Sequence, residues 1–173
     1  IKNRRMVEPS VEDLVRIERE SKIIRAAFTT WSELPLKSLQ FRLPAQGRIS
    51  SIFGLRRFFN SEPRQPHSGI DIAAPTGTPV VAPLAGIVME TGEYFFNGKT
   101  VFLDHGQGLI CMFNHLSRIL VERGKRVETG EKIGEIGMTG RVTGPHLHWT
   151  VSLNNSRVDP EIFLPDNRNT DNK

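Results

Sequence analysis

His146-Leu147-His148-Trp149-Thr150-Val151-Ser152-Leu153 alternates polar and apolar residues without a break. In an extended strand, residues i and i+2 face the same side. His146, His148, Thr150 and Ser152 therefore share one face, and Leu147, Trp149, Val151 and Leu153 share the other. Strict alternation marks a half-buried strand whose apolar face is core. The polar face starts with two imidazoles whose Cα atoms stand about 6.6 Å apart, given a rise of ~3.3 Å per residue. One can bind a metal while the other reaches a group bound to that metal. The plainer alternative is two surface histidines on a half-exposed strand.

The text on either side has the same character. Short apolar runs recur at 49–53, 70–73, 79–82, 87–90, 100–105, 109–113, 133–136 and 147–153, separated by Gly and Pro. Turn signals at this spacing predict a mainly β fold, an antiparallel body of short strands. Two stretches, 80–88 and 126–134, are weakly alike: each is a turn flanked by β-branched residues. They hint at a duplicated strand unit. Upstream, Val11, Leu14, Val15, Ile17, Ile24, Ala27, Phe28 and Trp31 recur at roughly helical spacing, with Glu12, Arg16, Arg19, Glu20 and Lys22 on a charged face. Ser10 and Asp13 fit a capping box. The spacing predicts an N-terminal amphipathic helix over about 11–30.

Composition sets the bounds. The chain has 173 residues, is 38% hydrophobic and 24% charged, and so falls in the range of folded globular chains. No apolar run approaches the ~18 residues of a membrane span. One cysteine excludes an internal disulfide framework and a CxxC zinc site. The net charge of +4 suits an anionic polymer as partner. No concentrated Lys/Arg run marks a nucleic-acid surface, so none is expected to bind. The chain starts at Ile1 without a signal peptide, which leaves room for an upstream domain or anchor.

A second chemical feature is His67-Ser68-Gly69-Ile70-Asp71. In a flat strand its His and Asp would stand about 13 Å apart, so sharing one ion requires a bend, and Gly69 permits one. Combined with the histidine pair, this gives His, Asp and His, the three-ligand set of an open catalytic zinc site whose fourth position holds water. A spare histidine could then move protons. His115, opening a polar turn after the 109–113 run, could be a second one. His105 reads as structural, Cys111 as a buried inert thiol, and Gly134–Gly140 as turns rather than a phosphate loop.

Taken together these residues resemble a known family. His67-Ser68-Gly69-Ile70-Asp71 is similar to the HxGxD signature of the M23, or LytM/lysostaphin-type, metallopeptidases. Asn114-His115-Leu116-Ser117 resembles their central histidine motif and Thr143-Gly144-Pro145-His146-Leu147-His148 their closing HxH motif. Ser51-Ile52-Phe53-Gly54-Leu55-Arg56 matches the usual opening. The resemblance covers about residues 47–165. It implies one zinc ion on His67, Asp71 and His148, with His115 and His146 as catalytic non-ligands. His146 or His115 would take the proton of the attacking water. Asn114 and Arg56 are candidate substrate-binding residues. The implied activity is hydrolysis of peptide bonds in peptidoglycan, and the implied location is the periplasm or cell envelope. The implied fold is an antiparallel body related to a duplicated hybrid motif.

Two departures are visible: Phe113 stands where many members have Tyr, and Trp149-Thr150 where many have Phe-Glu. On this reading residues 1–44 form a polar segment plus helix, serving as linker, dock or lid. Residues 45–165 form the metallopeptidase domain, and 166–173 a frayed polar tail. The rival is a non-catalytic peptidoglycan-binding or amidase-activating module of the same fold. Retention of all five positions counts against it. A lipoyl-type carrier would need a modified Lys within a motif such as Met-Lys-Met, which is absent.

Overall fold

The alternating stretch forms the strand around which the body is built. The computed structural model describes residues 4–6, 8–59 and 62–165, so the expected frayed tail lies outside the described residues. In chain order the elements are α1 (Val11–Thr29), β1 (Arg48–Ser51), β2 (Arg57–Phe59), β3 (Glu62–Arg64), β4 (Ile70–Ala73), β5 (Pro79–Val81) and β6 (Gly86–Tyr94). Then follow β7 (Gly98–Asp104), β8 (Leu109–Ile119), β9 (Arg126–Val127), β10 (Lys132–Ile136), β11 (His146–Leu153) and β12 (Ser156–Val158). The main path runs β1-β4-β11-β8-β7-β6-β9, with β10 joined to β5 and β8, and β12 to β11. Every described pairing is antiparallel. β2 and β3 form a separate two-stranded ribbon.

The main core lies on one face of this sheet. It takes Ile70 and Ile72 from β4, Val101 and Leu103 from β7, Leu109, Cys111 and Phe113 from β8, and Leu147, Trp149 and Val151 from β11. Trp149 is fully buried between its cross-strand neighbours Ile70 and Phe113. Truncating a buried aromatic of this size costs about 3–5 kcal/mol. Leu153 departs from the expected pattern and is 38% exposed. It borders the two-residue turn Asn154-Asn155, both at positive φ, which closes the β11–β12 hairpin beyond the edge of the core.

The weak repeat is real in the topology. The 80–88 stretch spans β5 and β6, and the 126–134 stretch spans β9 and β10. They pair crosswise, β5 with β10 and β6 with β9. Their turns also interlock, with Gly130 N–H donating to Ala82 O and Ala82 N–H to Glu131 O.

α1 begins at the expected capping box: Asp13 N–H donates to Ser10 Oγ and Ser10 N–H to Asp13 Oδ2, both at 3.2 Å. Its docking differs from the spacing argument. Val11, Leu14 and Val15 are 78%, 53% and 67% exposed. The first half of the helix instead buries polar groups. Asp13 pairs with Arg5, and Glu20 accepts the Phe95 N–H at 2.7 Å. Arg16 bonds Glu20 and the Glu93 carbonyl. Only the second half docks through apolar residues. Ala27 and Phe28 pack with Tyr94, Phe102, Ile110 and Met112 on the sheet face opposite the main core. That is the face on which β11 carries its histidines. Downstream, Leu36 packs against the main core and Phe41 lies within it.

Candidate active site

The centre of the site is His148. The register of β11 sets Asp71 of β4 directly across from it on one side and Asn114 of β8 on the other. Directly opposed side chains on one face stand about 4.5–5.5 Å apart at Cβ. Ile70 and Ile72 turn into the core, so Asp71 between them must face the other way, toward His148.

His67 arrives by the bend that the sequence required. It precedes β4, and Gly69 lies between it and Asp71. A Cβ on Gly69 would stand 2.2 Å from the Trp149 carbonyl oxygen, so only glycine lets the chain pass this close to β11. The bend brings His67 Nε2 to 3.0 Å from Asp71 Oδ1 and 2.9 Å from His148 Nδ1, with His148 Nδ1 2.8 Å from Asp71 Oδ1. All three residues are buried, and one ligand atom from each lies within 4.8 Å of the others. Two ring nitrogens and a carboxylate oxygen converging like this form a donor set that fits a small divalent cation.

The ring tautomers are set from behind. A carbonyl can only accept, so a ring nitrogen facing one must carry the proton. His67 Nδ1 faces the Ile52 carbonyl at 2.8 Å, which leaves Nε2 with its lone pair turned toward Asp71. His115 Nδ1 faces Thr139 O at 2.9 Å, and His146 Nδ1 faces Gly144 O at 2.9 Å. Each of these two therefore keeps Nε2 as acceptor. His146 Nε2 lies 3.9 Å from Asp71 Oδ1. The His115 ring centroid is 4.8 Å from that of His146 and 6.2 Å from that of His148.

His115 reaches this position through a bulge. β8 does not end in a turn at residue 113, as the apolar run suggested, but continues to Ile119. Between the pairs Lys99↔Leu116 and Val101↔Phe113, β8 uses one residue more than β7. His115 has φ 65°, a left-handed conformation, and its N–H donates to Asn97 O. The extra residue lets Phe113 and Leu116 both enter the core while Asn114 and His115 leave it.

The electrostatics follow from burial. Burial pulls the Asp71 carboxyl up, but the close ring nitrogens of His148 and then His67 outweigh it, holding the group well below the usual carboxylate range. Burial, reinforced by His146 and His148, lowers His115 to about 3 and keeps it neutral.

All five histidine and aspartate positions singled out by the sequence thus meet in one place. Residues 65–160 match the model of peptidase family M23. The chain belongs to peptidase family M23. The M23 chain is 40% identical over 121 residues to the peptidoglycan DD-endopeptidase ShyA of Vibrio cholerae, covering 69% of this chain and 28% of that protein. It is 42% identical over 119 residues to the DD-carboxypeptidase/endopeptidase Mpg of Neisseria meningitidis, covering 68% and 27%. It therefore spans under a third of the length of these relatives. A crystal structure of an M23 peptidase from Pseudomonas aeruginosa aligns with a TM-score of 0.78 at 51% identity, covering 88% of this chain and 62% of that one. A zinc-containing peptidase from Vibrio cholerae aligns with a TM-score of 0.65 at 33% identity, covering 73% and 39%.

Of the remaining candidates, Asn114 is buried beside His148, with its Oδ1 3.2 Å from the Thr100 hydroxyl. Arg56 is exposed in the connection between β1 and β2 and makes no ion pair among the described residues. His105 is remote from the cluster and is held by the Ala85 carbonyl, as a structural histidine would be. Burial pushes the Cys111 thiol up to about 12, which leaves it unreactive. Sequence reasoning missed the carbonyls of Ile52, Thr139 and Gly144 that orient the rings. Every residue has a carbonyl, so no residue type signals this role.

Proposed function

We propose that the M23 chain is a zinc-dependent endopeptidase domain that hydrolyses peptide bonds in peptidoglycan stem peptides or cross-links. The observation that carries this reading is the convergence of His67 Nε2, Asp71 Oδ1 and His148 Nδ1, beside two imidazoles that are not part of that set. These three atoms would hold one zinc ion, which supplies carbonyl polarisation and a water of lowered pKa.

The chain's own residues do the rest. His146 Nε2 faces Asp71 across 3.9 Å, and its side chain is more open than those of the ligands. It takes the proton of the attacking water and returns it to the leaving amine. His115, kept neutral by burial, offers a second acceptor at Nε2 and orients the water's other hydrogen. Asn114, buried beside His148 with its carbonyl held by Thr100, has only its amide N–H groups left to offer a substrate backbone, and the exposed Arg56 meets a substrate carboxylate. The substrate places the domain in the periplasm or cell envelope. Residues 45–165 act as the catalytic unit, and within 1–44 the helix acts as a docked wall on the catalytic face. All five positions are kept, so the non-catalytic module is not favoured.

The test is incubation of the zinc-loaded domain with purified peptidoglycan sacculi and mass spectrometry of the released fragments, with His148→Ala as the blank. New peptide ends absent from the blank are expected and name the bond. No cleavage by a folded, zinc-loaded domain overturns the reading.

A further inference from the structure

Three of the four site histidines face a backbone carbonyl, which no side-chain substitution removes, and His67 has the Ser51 hydroxyl as a second neighbour at 3.0 Å. His148 differs. Its Nε2 lies 2.9 Å from the hydroxyl of Thr150, two residues along the same face of β11. A hydroxyl can donate or accept, so unlike a carbonyl it does not by itself decide the ring's tautomer. A second tautomer is at hand, because His148 Nδ1 lies 2.8 Å from Asp71 Oδ1 and could keep its proton there.

We propose that Thr150 is a positioning residue of the metal site, holding the His148 ring and supporting the Nε2–H tautomer that leaves the Nδ1 lone pair for the ion. The inference rests on the metallopeptidase reading above. With Nδ1 turned to the ion, Nε2–H donates to Thr150 Oγ1. With Nδ1–H turned to Asp71, the Thr150 hydroxyl donates to Nε2. One oxygen can thus serve both states without moving a heavy atom.

The setting of Thr150 supports the role. It is fully buried, so water cannot replace it as a partner. A Cβ on Gly69 would stand 3.0 Å from Thr150 Oγ1, so the bend that delivers His67 and Asp71 also leaves room for this hydroxyl. Groups that orient a ligating histidine through its other nitrogen typically set metal affinity within a factor of about 10–100.

The test compares Thr150→Val, which keeps the shape and removes the hydroxyl, with Thr150→Ser, which keeps the hydroxyl. Zinc affinity is measured by competition with a chromophoric chelator. Thermal unfolding of the metal-free proteins checks that the fold is intact. We expect Thr150→Val to bind zinc roughly tenfold or more weakly, and Thr150→Ser to stay within about threefold of the parent. A Thr150→Val protein that is folded and binds zinc within twofold of the parent overturns the proposal, as does loss of affinity in both variants alike. If the parent itself binds no zinc, the metallopeptidase reading fails first.

Discussion

His115 sits at φ 65°, where a residue other than glycine costs of order 1 kcal/mol. The surrounding structure holds it there, and the bulge aims its ring at the site. Asn tolerates this backbone region well, so His115→Asn removes the imidazole while sparing the turn. We expect unchanged zinc content and a fall in turnover of roughly 10²–10⁴. Near-normal turnover at full zinc load would remove His115 from the mechanism. His105 carries a separate prediction. Burial lowers it to about 4, from 6.5 in the unfolded chain. A depressed folded-state pKa gives stability that is present above about pH 6.5 and lost as pH falls toward 4. The expected loss from this group is of order 3 kcal/mol. Denaturant unfolding of the metal-free protein at pH 7 and pH 4.5, beside His105→Gln, measures it; equal pH slopes in the two proteins would refute it. At this scale the sequence was informative about which residues carry the chemistry, because His and Asp are few and their types restrict what they can do. It was silent on what orients them.

At the scale of elements, α1 shows where periodicity misleads. Apolar spacing marked Val11, Leu14 and Val15 as a buried face, yet they are exposed, while Asp13 and Glu20 are buried. The reason is tertiary. Arg5 partners Asp13, and the Phe95 N–H needs an acceptor that Glu20 supplies. No pattern within the helix records either partner. Phe28 carries the apolar docking instead. It packs edge-on against Phe102 at 5.6 Å and lies under the Arg157 guanidinium. Phe28→Ala should cost about 3–5 kcal/mol, whereas Leu14→Glu should stay within about 0.5 kcal/mol. Equal effects of the two in thermal unfolding would mean that the helix docks by its N-terminal half. The strands were more legible because alternation is local and their core is one-sided. β8 was the exception: its bulge at His115 breaks the alternation, so the run seemed to end where the strand in fact bends.

For the whole molecule, the decisive relation is that the main core and the site lie on opposite faces of one sheet. Phe113, Leu147 and Trp149 are buried on the far side from Asp71 and His148, and none of their packing requires an ion. The crosswise pairing of β5–β6 with β9–β10 closes the body independently of the histidines. The fold should therefore survive removal of metal, unlike small domains whose core is the metal site itself. Zinc should then act as a ligand of the native state alone. At a free concentration 100 times its dissociation constant it adds about 2.7 kcal/mol, which for a chain of this size raises the melting temperature by roughly 5–11 °C. Chelator-treated protein should keep its far-ultraviolet circular dichroism and a single unfolding transition. Zinc should raise that transition in the parent and leave Asp71→Ala unmoved. A chelated protein without a cooperative transition would show that the site helps hold the sheet together, and that the two faces are not independent.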